Sequence, residues 1–236
     1  MAVNDEQPNV AAADDYRQLR QALEMGLANP GLLPLRQAAR RVYSPGLAYG
    51  RHFGPPAPTA RQAAVLVLLE PRQGEWTIPL TVRPDHLPDH PGQVSLPGGR
   101  LEAGEAPRQA AEREFLEELG CPLQSDEILG QLLPLYVYHS DYYVHSFLAI
   151  SQRPYTYQAC PSEVARIVHL PLTALRYGSE PCQRQFSRGL AVWQAPVIQT
   201  DEATIWGATA IILADLAALW ATSSSSPHNL PRRPSP

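Results

Sequence analysis

A single mixed α/β domain is the fold class that the sequence predicts, with helices laid against a sheet. Three observations lead there. Residues 63–69 (AAVLVLL) form an unbroken apolar run of the length of a fully buried strand, several later runs have strand composition, and one isolated helical pattern, Pro107–Leu119, interrupts them. With 236 residues, 44% hydrophobic and 18% charged, the chain can bury a sizeable core.

Element by element, residues 1–15 read as a flexible lead, and residues 15–28 carry helical spacing through Tyr16, Leu19, Leu23 and Leu27. A second short helix fits residues 34–42. Residues 45–58, rich in Gly and Pro, make an extended connection. Strands are expected at 63–69 and 76–83 around a turn at 72–74, then a proline-broken loop at 84–91 and a short strand at 94–96 running into Pro97-Gly98-Gly99. After the helix, which Gly120 ends in the position of a left-handed cap, strands are expected at 128–138, 142–150, 164–170 and 190–198. Residues 202–221 read as a long final helix, and the Ser/Pro-rich stretch 223–236 as disordered. The resulting division is a flexible lead with a helix over 1–35, one domain over 36–222, and a tail over 223–236.

Charge and cysteine usage narrow the function classes. A net charge of −4 argues against a nucleic-acid or anionic-membrane partner. All 19 positive residues are arginine, so any cationic side chain that meets a phosphate is a guanidinium. Cys121, Cys160 and Cys182 are odd in number and far apart, which fits a reduced, cytoplasmic compartment better than a disulfide framework. The acidic, polar start has neither the basic nor the apolar region of a signal peptide, and the apolar stretch 205–220 contains Asp215 and is too short to span a bilayer, so a soluble protein is expected. A monomer and a homodimer both fit.

The chemistry concentrates on Pro107–Leu119. At about 100° per residue, Ala111, Phe115 and Leu119 make an apolar stripe about 80° wide, while Glu114, Glu117 and Glu118 cover the adjoining arc of about 100°. Glu112 points elsewhere and Arg113 lies beyond Glu117. Like charges at these spacings cost stability, so a helix selected for stability alone would place an arginine inside the arc. Clustered hard oxygens beside an apolar wall suit a divalent cation such as Mg2+ or Mn2+, and the Gly98-Gly99 loop allows a close backbone carbonyl. The plain alternative is an acidic face turned to solvent.

The spacing around this helix decides between them. Gly99, Glu105, Arg113-Glu114-Phe115, Glu117-Glu118 and Gly120 reproduce the loop–helix–loop signature that marks Nudix hydrolases, and the chain resembles that family; Cys121 stands where an aliphatic residue is usual. The resemblance implies a Nudix-type α/β/α sandwich with a mixed β-sheet. It also implies metal ligation by Gly99 (through its carbonyl), Glu114, Glu117 and Glu118, with Glu105 and Arg113 pairing to hold the motif in shape. Glu118, Glu117 and Glu163 are the candidate catalytic carboxylates. Glu118, at the edge of the apolar stripe, is expected to hold its proton unusually tightly when no metal is bound.

Residues 80–83 (LTVR) and 90–99 (HPGQVSLPGG), together with 162–164, 171–172 and 205–210, resemble the coenzyme A diphosphatase branch of the family. This implies coenzyme A or an acyl-coenzyme A as substrate, giving 3′,5′-ADP and 4′-phosphopantetheine. Pro84, Pro88 and Leu96 depart from the branch, and the arginine missing at Pro88 removes a bidentate phosphate partner. NADH, ADP-ribose and other dinucleotides are the alternatives. Arg83, His90 and Arg100 are the candidate substrate contacts, and one of Tyr136, Tyr138, Tyr142 and Tyr143 is a candidate for stacking on a base. A non-catalytic nucleotide sensor would be expected to lose motif carboxylates or to gain a basic helix pair before residue 60. Neither feature is found in the sequence.

Overall fold

The structure is a computed structural model that describes residues 10–46, 51–86, 92–175, 177–188 and 191–223. The central strand is β1 (Arg61–Arg72). Parallel to it runs β7 (Tyr142–Ile150), in register from Arg61 opposite Tyr142 to Leu69 opposite Ile150. On its other edge β1 pairs antiparallel with β4 (Gly98–Arg100) and, at its end, with β2 (Glu75–Val82). The sheet extends from β2 to β3 (Val94–Ser95) and β8 (Arg166–Pro171), and from β7 to β5 (Ile128–Gln131) and β6 (Leu135–Val137). A smaller antiparallel sheet holds β9 (Cys182–Arg188), β10 (Ala191–Gln199) and β11 (Thr204–Trp206).

Both faces of the main sheet are covered, which is why β1 reads as continuous apolar sequence rather than as alternation. Leu66 and Leu68 meet Phe115 and Leu119 of α3 (Pro107–Leu119), whereas Val67 and Leu69 enter a larger core built with α4 (Gly207–Ser223). Two further helices, α1 (Val10–Ala28) and α2 (Leu33–Val42), pack on α4. The layers are therefore helix, mixed sheet, helices: the α/β/α sandwich. Phe115 and Leu119 are fully buried, and each stabilises the seat of α3 by roughly 1.5–3 kcal/mol.

A helix that is apolar all round must be buried all round, and α4 is: sheet on one side, α1 and α2 on the others. Its one charge, Asp215, is fully buried and answered across the layer by Arg36 of α2, with Nε donating to Oδ1 at 2.6 Å and Nη2 to Oδ2 at 3.0 Å. The Leu133 N–H donates to the same carboxylate at 2.8 Å.

Several boundaries differ from the sequence reading. The first helix starts at Val10, inside the stretch read as a lead, and Leu23 on it is fully buried. The run 128–138 is two strands, because after Leu132 the Leu133 N–H donates to Asp215 and Pro134 has no N–H to offer β7. The final helix begins at Gly207 instead of 202: Thr204-Ile205-Trp206, β-branched and aromatic, pairs with β10 as β11. Strand β9 has no counterpart in the sequence reading, since Cys182–Arg188 is mostly polar and takes its strand form from pairing along β10. The part of the loop at 87–91 and nearly all of the tail over 223–236 lie outside the described residues. Among the described residues no helix is long and apolar enough to cross a membrane.

Candidate active site

Helix α3 is held at both ends by contacts that its sequence supplies. Ala106 at the N-cap offers no side-chain acceptor, but Gln109 accepts from the Ala106 N–H at 3.1 Å, and Gly120 closes the other end in the left-handed conformation with φ 70°. Before the helix, β4 runs unusually close to its neighbours. A Cβ on Gly98 would collide with the backbone of Ala64 and Val65, and one on Gly99 would overlap the Glu114 carboxylate. Only glycines let this backbone lie against the acidic face.

With its apolar stripe on β1, α3 sets Glu114 and Glu118 against Gly99 and Gly98 of β4, while Glu117 is exposed and meets Arg113. Glu118 is buried at 9% exposure, and its Oε2 has no hydrogen-bond partner. Burial is the main cause that pushes its pKa up, to about 8; the charges of Glu114 and Glu163 add to it, and the Gly98 N–H and Arg83 oppose it. The Glu114 carboxyl is also raised, chiefly by burial, with Arg113 opposing. Glu105 moves the other way: Arg113 donates to both its oxygens at 2.8 and 3.0 Å and the Glu102 N–H donates at 2.9 Å, holding it below the usual carboxylate range.

Arg113 does more than the helical projection suggests. Beyond Glu105, its Nη1 donates to Glu114 at 2.9 Å and to Glu117 at 3.0 Å, and its Nη2 to the Arg100 carbonyl at 3.1 Å. The long guanidinium thus reaches back over the arc that its Cα avoids.

Other candidate residues fall on two sides of β1. Glu163 sits in the loop before β8, where its charge acts on Glu114 and Glu118; the same loop is tied to the helix by the Cys160 N–H, which donates to the Glu118 carbonyl at 2.9 Å. Arg83, at the end of β2, acts on Glu118 with opposite charge. Arg100 is exposed on β4 beside the hollow formed with Glu102, Arg113 and Glu114. Thr81 and Ser95, which the sequence reading did not single out, lie on the same face as α3 with hydroxyls 3.1 Å apart. His86 is exposed, and His90 and Pro88 lie outside the described residues. Leu96 is a core residue at 3% exposure. The tyrosines are not brought to the carboxylates: Tyr136, Tyr142 and Tyr143 belong to β6 and β7, on the opposite edge of β1 from β4, with Tyr138 just beyond β6.

A family model described as the NUDIX domain matches residues 60–190, more than half of the chain and all of α3 with its flanking loops. The chain belongs to the Nudix family. Among curated Nudix relatives, the "Uncharacterized Nudix hydrolase NudL" of Enterobacter sp. (strain 638) is 34% identical over 162 residues, covering 66% of this chain and 81% of that protein. The protein of the same description from Yersinia enterocolitica is 32% identical over 159 residues, covering 67% and 80%. Among solved structures, a MutT/nudix family protein from Enterococcus faecalis has a TM-score of 0.49 and 17% identity, covering 72% of this chain and 65% of that one.

Nudix hydrolases use divalent metals, and this motif has the features such an ion needs. It offers hard oxygen donors, a buried carboxylate oxygen without a partner, and a backbone cradle that a Cβ on Gly99 would fill. Among the described residues no three His, Cys, Asp or Glu side chains converge tightly enough to hold an ion as they stand. Arg113 engages oxygens of both Glu114 and Glu117 in this arrangement.

Proposed function

We propose that this Nudix hydrolase cleaves the diphosphate bond of a nucleotide derivative, with coenzyme A or an acyl-coenzyme A as the leading substrate. The carrying observation is the buried Glu118 carboxylate, with one unpartnered oxygen and the charges of Glu114 and Glu163 set against it. Such a group calls for a cation or a proton. Gly99, through its carbonyl, with Glu114, Glu117 and Glu118, would hold Mg2+ or Mn2+; when bound, the metal neutralises diphosphate charge and makes a bound water more acidic.

Water attacks one phosphorus, a new P–O bond forms and the bridging P–O bond breaks, so two phosphate monoesters leave. With coenzyme A these are 3′,5′-ADP and 4′-phosphopantetheine. The proton released by the water goes to a carboxylate, Glu118 on the helix or Glu163 on the facing loop, while Arg83 and Arg100 offer guanidinium contacts to phosphate oxygens. Glu105 acts through Arg113 and keeps the turn beside the helix. Support for the substrate class comes from the resemblance of residues 80–83, 90–99 and 205–210 to the coenzyme A diphosphatase branch; Pro88, in place of an arginine, favours NADH or ADP-ribose as the second reading. The three cysteines are free, consistent with action in the cytoplasm.

The test is hydrolysis by the purified protein with Mg2+ or Mn2+ across coenzyme A, NADH, ADP-ribose and diadenosine polyphosphates. Release of 3′,5′-ADP and 4′-phosphopantetheine as the fastest reaction is expected. A faster reaction on another member moves the specificity, and no reaction on any member overturns the proposal.

A further inference from the structure

Three aromatic rings stand together on the smaller sheet. Phe186 lies opposite Trp193 in the β9–β10 register, and their rings stack with centroids 6.1 Å apart. Trp206 of β11 adds a third ring, 4.4 Å from Phe186 and 6.2 Å from Trp193. All three are half-buried. Strand alternation fixes the direction in which they face. Ile205, fully buried, and Val94 of β3 both enter the core that α4 covers, so their neighbours Trp206 and Ser95 turn to the other side. That is the side on which α3 carries its carboxylates.

The two regions are joined at short range. Strand β11 lies alongside β3, and Gly98 begins only three residues after Ser95. The Thr209 hydroxyl reaches the Val94 carbonyl at 3.5 Å, and Arg166, three residues after Glu163, donates to the Glu202 carbonyl at 3.0 Å. One face thus runs from the acidic helix, past half-buried Ser95 with the buried Thr81 hydroxyl behind it, to an aromatic surface. Arg184 shares the aromatic face and is held there by Gln199 and Thr204.

We propose that Phe186, Trp193 and Trp206 form a stacking platform for the nucleobase of the substrate whose diphosphate lies at the carboxylates, an inference that rests on the function proposed above. The order along this face, carboxylates, then the Ser95 hydroxyl, then aromatic rings, follows that of diphosphate, sugar and base along a nucleotide. A base stacks on any accessible aromatic face without hydrogen-bond readout, so the platform selects for the presence of a base more than for its identity.

The first test needs no turnover. Binding of 3′,5′-ADP to the native protein is followed by tryptophan fluorescence and by calorimetry; Trp76 and Trp220 pack against the core on the α4 side, so a change in emission reports on the platform. Quenching on binding is expected, and binding without any change in emission overturns the proposal. Trp193→Leu should weaken binding on the order of tenfold, the loss of one stacked base, and Trp193→Phe should restore most of it. Phe186→Leu serves in the same way should Trp193→Leu not fold. In turnover, Trp193→Leu should raise KM for the nucleotide substrate with little change in kcat, and leave unchanged the hydrolysis of a diphosphate diester of two aliphatic alcohols. Equal affinity for 3′,5′-ADP in the native and Leu variants overturns the platform even if hydrolysis is confirmed. Loss of 3′,5′-ADP binding in a protein that hydrolyses no diphosphate leaves the platform standing and removes the proposed reaction.

Discussion

Glu118 on α3 and Asp215 on α4 are both buried helix carboxylates, placed on opposite faces of the same sheet. Asp215 meets a bidentate guanidinium and a backbone N–H, and every partner it needs is supplied by the chain. Glu118 is left with an oxygen unpartnered and with two further carboxylates acting on it. The same functional group at similar depth is thus completed by the protein in one place and left for something else to complete in the other. Arg113, on the same helix, donates to Glu105, Glu114 and Glu117.

This contrast can be broken in both directions. Glu118→Gln or Glu117→Gln should lower kcat by about a thousandfold, as the loss of a positioned carboxylate implies, with the thermal melt of the metal-free protein unchanged or improved. Full residual turnover in Glu117→Gln would mean that α3 is not the metal site. Asp215→Asn should do the reverse. It leaves Arg36 buried with a neutral partner, so stability falls by roughly 3–5 kcal/mol in a denaturant titration, while the folded fraction keeps its kcat.

A smaller effect sharpens the comparison through pH. With metal chelated, Glu118 in the folded protein titrates near 8, against 4.5 for an ordinary glutamate, so between these values the folded state holds a proton that the unfolded chain has lost. The stabilisation is complete below about pH 4.5 and is lost as pH rises through about 8. Melts of the metal-free protein should therefore decline across that window by on the order of a few kcal/mol, and Glu118→Gln should flatten the slope. An unchanged slope in that variant would assign the titration to another group.

The sequence is most legible where function is local. The motif from Gly99 to Gly120 is contiguous, so helix bounds, acid arc and glycine turn are all legible in the sequence alone. β1 was legible for a related reason: a strand covered on both faces has to be apolar throughout. What escaped depends on partners far along the chain. The Arg36–Asp215 pair joins positions on different helices, and nothing near either residue marks the other. Arg113 was placed off the acid arc because a projection locates the Cα and ignores the reach of a long side chain. Trp206 was absorbed into a helix by the apolar sequence that follows it, and β9 was too polar to read as a strand, so the aromatic trio came together only in three dimensions. The tyrosines that drew notice instead lie across β1 from the carboxylates.

The parallel pairing of β1 with β7 has one more consequence. Parallel neighbours cannot be joined by a hairpin, and the chain between Arg72 and Tyr142 makes the crossing, carrying β4 and α3 with it. Thirteen residues of helix are marginal on their own, and the surface on which α3 rests, Leu66 and Leu68 of β1 with Ala149 of β7, exists only once that long loop has closed. The motif is contiguous in sequence, yet its geometry is a property of the closed fold: a peptide of the motif alone would carry all the residues proposed to hold the metal and have no floor to arrange them on.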